Sequence, residues 1–202
     1  MKSTARSTAS LTHNSLALLG AVVLSLFASH AVAAEVGVAA RIRQCTTCHG
    51  ADGNSQTPKI PSLAGQPEFF ILNQLILMRE GVREVAIMTP FVKDLTDADA
   101  EALAKHFSAL EAKRSDETID PGLAARGGAR VAALHCASCH LPSFVGHDQM
   151  PRLAKQRIDY MVESLKAIRD SQRAGGDSLM TAAVAGVSDA DLEALAHYVS
   201  SQ

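Results

Sequence analysis

Cys45-Thr46-Thr47-Cys48-His49 and Cys136-Ala137-Ser138-Cys139-His140 together use every cysteine in the chain. Cys-x-x-Cys-His is the attachment signature of c-type haem. Each thiol adds across a haem vinyl group to form a thioether, and the adjacent histidine reaches the iron from the same side. Two copies predict two covalently bound haem c groups, held by Cys45, Cys48, Cys136 and Cys139. Three other chemistries compete. A redox dithiol accounts for Cys-x-x-Cys but not for a histidine directly after both copies. A four-cysteine zinc site would have to bridge the 87 residues between the pairs, far beyond zinc-finger spacing. Structural disulfides suit an exported chain, but such short loops are poor staples.

With His49 and His140 as the expected iron ligands on one side, the other side needs a second donor in each half. The internal repeat selects it. Met78 aligns with Ile168, Met161 with Ile71, and Met150 with Ile60, so these three read as interchangeable apolar filler. Only Met88 and Met180 align with each other, 39 and 40 residues beyond their histidines. A thioether ligand raises the reduction potential above that of a bis-imidazole iron. His106, His135, His147 and His197 are the rival donors, but none has an equivalent histidine in the other half. No thiol remains once both thioethers form.

Pro61 and Pro151 follow the two histidines by 12 and 11 residues. Each is expected to set the loop on the histidine side, where a carbonyl accepts the imidazole Nδ1–H and fixes the ring. Arg79, Arg83, Arg169 and Arg173 are candidates for pairing with haem propionates, and equally for solvated helix faces.

The elements that hold these residues are helical and come twice. Pro61-Ser-Leu63-Ala64-Gly-Gln66 matches Pro151-Arg-Leu153-Ala154-Lys-Gln156. Asp97-Ala98-Asp99 with Glu101-Ala102-Leu103-Ala104 matches Asp189-Ala190-Asp191 with Glu193-Ala194-Leu195-Ala196. Thr96 with Asp99, and Ser188 with Asp191, have the spacing of capping boxes. Behind them Ala100, Leu103 and Phe107, or Leu192, Leu195 and Val199, share one helical stripe. Further helices are predicted over about 67–80 and 157–172, with a shorter one before each cysteine pair. No alternating strand pattern is present, so the fold class is all-α.

Residues 112–122 are polar and end in Pro121-Gly122, which divides the chain. The expected organisation is a first domain over 35–114, a linker over 115–122 and a second domain over 123–202. Halves of this size, with no tryptophan, lack large core-filling side chains and gain from a bound cofactor. Ahead of them, residues 1–34 read as a cleaved signal peptide. Lys2 and Arg6 precede an apolar run of 13 residues, Leu16 to Ala28, and small residues follow at 31–34. The run is too short to span a bilayer, which predicts export to the periplasm. Residues 35–202 then carry 17 basic and 21 acidic side chains, without the concentrated basic face that nucleic acid requires.

The paired motifs, each with Pro-x-Leu-Ala-x-Gln and then a methionine before a final helix, resemble the dihaem cytochromes c4 over essentially the whole mature chain. The resemblance implies two class I cytochrome c domains related by a pseudo-twofold axis, with haems facing one another across the interface. It implies attachment at Cys45, Cys48, Cys136 and Cys139, and iron ligation by His49, Met88, His140 and Met180. It also implies an electron carrier rather than an enzyme, exchanging electrons with a respiratory donor and a terminal oxidase, and at most peripheral association with a membrane. A tightly bound haem subunit of a periplasmic dehydrogenase, such as the flavocytochrome c type, is the alternative. A haem enzyme needs an open or unusual iron ligand, which the paired methionines oppose. One departure stands out. Gly50-Ala-Asp-Gly53 follows the first histidine, but Leu141-Pro-Ser-Phe144-Val-Gly146 follows the second, so the second haem is expected to be packed less typically.

Overall fold

The computed structural model describes residues 37–175 and 178–202. The expected signal peptide, 1–34, lies outside the described residues. Helical backbone runs over 37–49 (α1), Glu68–Arg79 (α2), Thr89–Val92 (α3) and Asp97–Ser108 (α4) in the first half. The second half holds Pro121–Ala133 (α5), Ala137–His140 (α6), Ile158–Arg169 (α7), Ser178–Ala183 (α8) and Asp189–Ser200 (α9). Among the described residues there is no strand, only one isolated bridge between His147 and Met150. Residues 41–202 form one compact unit.

The last helix of each half starts where its capping residue stands. Thr96 accepts from the Asp99 amide while the Asp99 carboxylate accepts from the Thr96 amide, closing a full capping box. Ser188 accepts from the Asp191 amide, but the return half is missing. The Asp191 carboxylate is turned instead to Arg126 at 2.7 Å and Arg130 at 3.5 Å, tying α9 to α5. Helix α7 ends three residues short of the predicted 172. Ser171 adopts φ 54°, and the amides of Gln172 and Arg173 return to the Ala167 carbonyl.

Pro121 opens α5 rather than closing the polar connection. Its missing N–H costs nothing in the first turn, and Asp120 caps the helix through the Leu123 amide. The polar residues ahead of it are pinned along their length. Gln56 accepts from the Asp116 amide at 2.9 Å, and Glu117 caps α7 by accepting from the Ile158 and Asp159 amides.

Each half has its own apolar cluster. The first gathers Ile71, Val92, Leu95, Leu103, Ala104 and Phe107, and the second is built around Val131, Phe144, Ile158, Met161, Leu192 and Val199. Helices α5 and α9 approach so closely that a Cβ at Gly127 would stand 2.0 Å from the Ala194 carbonyl oxygen. Only glycine fits there.

The halves are joined by a reciprocal device. Gln66 donates to the Arg152 carbonyl and accepts from the Arg152 amide, both at 2.9 Å. Gln156 donates to the Ser62 carbonyl at 2.9 Å and accepts from the Ser62 amide at 2.8 Å. Ser62 and Arg152 are equivalent in the repeat, as are Gln66 and Gln156, so the contact maps onto itself under exchange of the halves. That is the signature of a twofold-related, isologous interface. All four residues are buried.

Candidate haem sites

His49 ends α1 and His140 ends α6, and both are buried, 5% and 6% exposed. The Pro61 carbonyl oxygen lies 2.8 Å from His49 Nδ1, and the Pro151 carbonyl oxygen 3.0 Å from His140 Nδ1. A carbonyl can only accept, so each ring donates from Nδ1 and keeps its lone pair on Nε2. Burial lowers the pKa of both rings, with the carbonyl acting in the opposite direction. A neutral imidazole with a fixed tautomer is what an iron ligand must be.

The thiols fit attachment better than redox catalysis. Burial pushes the Cys45 and Cys136 thiols up from their ordinary value, the reverse of the depressed pKa that marks a reactive dithiol. Cys45 and Met88 border the apolar cluster of the first half, and Cys136 and Met180 that of the second. In each half the first cysteine and the selected methionine therefore meet one hydrophobic wall, with the methionine half-buried. Met88 stands at the N-cap of α3, whereas Met180 lies inside α8. Among the described residues, no group of three or more His, Cys, Asp and Glu side chains is placed to hold a metal ion.

The rival histidines are engaged elsewhere. His106 packs edge-on against Phe107 with centroids 5.0 Å apart. His197 Nδ1 accepts from the Asp120 amide at 3.1 Å, and His147 bonds to Asp148 at 3.0 Å. His135 is exposed at the turn between α5 and α6.

The four arginines separate into two pairs. Arg79 binds Glu80, Asp97 and the Leu95 carbonyl, and Arg169 binds Asp170, Asp189 and the Val187 carbonyl. These two fasten one helix to the start of the last. Arg83 and Arg173 instead converge on one acceptor, Gln74 Oε1, at 2.6 and 3.2 Å. Among the described residues no carboxylate lies within ion-pair reach of either. Arg83 also donates to the Tyr160 phenol. Burial alone would raise that phenol, but Arg173 and Arg83 outweigh it and bring its pKa down to about 8. The two guanidiniums line an open cleft of about 340 Å³ at the junction of the halves, with Lys59, Glu84 and Glu163 also on its walls.

The turn after each histidine keeps its course despite the change of residues. Gly53 (φ 74°) accepts from the Leu63 and Ala64 amides, and Phe144 (φ 55°) accepts from Leu153 and Ala154. Gly50 and Leu141 likewise both have positive φ, 90° and 66°. The Phe144 side chain is buried and meets Tyr198 edge-on at 6.0 Å. The second turn thus differs from the first in its side chains but not in its backbone course.

Two signals escaped the sequence. Gln66 and Gln156 were visible as repeated residues, but nothing local showed that each would clamp the opposite half. Arg152 gave no signal at all.

Comparison with known proteins agrees with this geometry. The family profile for cytochrome c matches residues 125–202, and that for subunit III of cbb3-type cytochrome c oxidase matches 32–106. The molecule is therefore a dihaem c-type cytochrome: two cytochrome c domains, with one covalent haem c in each. Cytochrome c4 of Pseudomonas aeruginosa is 34% identical over 85% of this chain and 90% of its own. The reduced recombinant cytochrome c4 from Pseudomonas stutzeri superposes with a TM-score of 0.74 at 34% identity, covering 82% of this chain and 96% of that one. The chain belongs to the cytochrome c4 family, and its function is electron transfer. A thiosulfate dehydrogenase electron acceptor of Thiomonas intermedia is also similar, 31% identical over 93% of this chain and 89% of its own. No helix among the described residues is long and apolar enough to cross a membrane.

Proposed function

We propose that this chain is a periplasmic electron carrier, not an enzyme, taking electrons from a respiratory donor and delivering them to a terminal oxidase. Residues 35–114 and 123–202 would be its domains, divided at 115–122. When bound, each haem supplies an iron that takes up and releases one electron. Cys45 with Cys48, and Cys136 with Cys139, hold it covalently. His49 and His140 would be iron ligands, each ring oriented by the Pro61 or Pro151 carbonyl. Met88 and Met180 would supply the second ligand in each half. Arg83 and Arg173, free of carboxylates among the described residues, are the donors for propionates, whereas Arg79 and Arg169 are spent on helix contacts.

One observation carries the carrier reading. Each half offers a histidine oriented by a carbonyl, together with a methionine that borders the same apolar cluster as the first cysteine, so each half can supply two iron ligands and leave no position for substrate. A second reading is supported by the Thiomonas intermedia relative: electron acceptor of a particular dehydrogenase, docked permanently on it. The test is the native mass of the haem-staining species released from the periplasm, with carbon monoxide binding measured on the purified protein. The carrier predicts a free species of one or two chains, two haems per chain and no rapid carbon monoxide binding. A stable larger complex would favour the dehydrogenase subunit. Rapid stoichiometric carbon monoxide binding would overturn the filled-ligand reading.

A further inference from the structure

We propose that Arg152 is a fixed charge that raises the reduction potential of the second haem. This rests on the reading of each half as a haem domain.

Arg152 is only 3% exposed, yet among the described residues its guanidinium has no carboxylate partner. Nη1 donates to the Ala154 carbonyl, while Nε and Nη2 are buried without any hydrogen bond. Burial lowers its pKa to about 10, so it stays protonated at neutral pH. An unpaired buried charge is costly, and two comparisons within the chain show that this cost is particular to the site. Arg157, also buried, is by contrast matched by Asp116, Glu117 and Asp159 at 3.2, 3.6 and 3.0 Å. The equivalent position in the first half is Ser62, a neutral side chain that accepts from the Ser55 amide at 3.0 Å.

Position supplies the consequence. Arg152 follows Pro151 directly, and the Pro151 carbonyl holds His140 Nδ1 at 3.0 Å. The bond to Ala154 folds the guanidinium back onto this same short stretch, so the charge stays beside the ligand loop of the second half. A fixed positive charge stabilises the reduced form of a nearby redox centre over the oxidised form, because reduction adds one negative charge. Inside the protein that effect is screened far less than between surface charges. The free Nε–H and Nη2–H are also donors a propionate could use, and neutralising a carboxylate near the iron shifts the potential in the same direction. The first half has no counterpart to either effect at this position.

The experiment is a spectroelectrochemical titration of the purified dihaem protein alongside Arg152→Gln and Arg152→Lys, with Met180→His used to mark the second haem. The wild type should show two midpoints, and Met180→His identifies the one that belongs to the second haem. Arg152→Gln should lower that one by about tenfold in its equilibrium, roughly 59 mV for one electron, and leave the other in place. Arg152→Lys, which keeps the charge, should retain the wild-type midpoint. The proposal is overturned if Arg152→Gln leaves both midpoints unmoved or shifts them equally, or if Lys behaves as Gln does. A haem-to-protein ratio below two in the wild type would instead count against the dihaem reading itself.

Discussion

The two halves reach the same turn after the ligating histidine by different means. In the first half Gly50 and Gly53 take positive φ without strain, and a Cβ at Gly53 would press on Ala64 and Leu110 at 3.1–3.2 Å. In the second half Leu141 and Phe144 adopt the same sign of φ, which costs a non-glycine residue about 1 kcal/mol or more. Phe144 offsets that cost by burying its ring beside Tyr198. Leu141, at φ 66° and ψ 158°, shows no comparable packing. The backbone course is thus held by what the loop must do, positioning a carbonyl on the histidine, and side chains are fitted to it afterwards.

Returning the second half to the pattern of the first should have opposite effects at these two sites. Phe144→Gly should destabilise by about 3 kcal/mol, the loss of a buried aromatic less the relieved strain, read by denaturant unfolding of the haem-loaded protein. A loss under about 1 kcal/mol would mean that Phe144 contributes little beyond filling space. Next in size, Gln66→Ala and Gln156→Ala should each cost about 2 kcal/mol, because each leaves a buried amide and carbonyl unpaired. Gln156 should be the larger, since its Oε1 also accepts from the Arg157 amide at 2.9 Å. A large loss at one glutamine with none at the other would break the twofold symmetry claimed for the interface. Smallest, Leu141→Gly should stabilise by about 1 kcal/mol, and a clear fall in stability would show that the Leu141 side chain matters more than its backbone strain.

What could be read in advance follows from the range of each interaction. The helix starts at Thr96 and Ser188 are written within three residues, and both caps form. The histidine, its proline and its methionine repeat at nearly fixed intervals, so duplication isolates them from Met78, Met150 and Met161. The glutamine clamps connect residues 86 and 94 apart, beyond any local pattern. Arg79 and Arg83 look alike in the sequence, and what tells them apart is that, among the described residues, only Arg79 forms ion pairs. Arg152 was unreadable because its significance lies in a missing partner, which is a property of the packed structure alone. At the turn after His140 the sequence shows the replaced glycines but not the ring of Phe144 meeting Tyr198.

The central claim is one His/Met iron in each half, and redox titration of Met88→His and Met180→His tests it most directly. Exchanging thioether for imidazole stabilises the ferric state, so each variant should lower one midpoint, a different one in each, and leave the other in place. Unchanged midpoints in both variants would contradict the assignment of Met88 and Met180, and with it the account of how each half holds its haem.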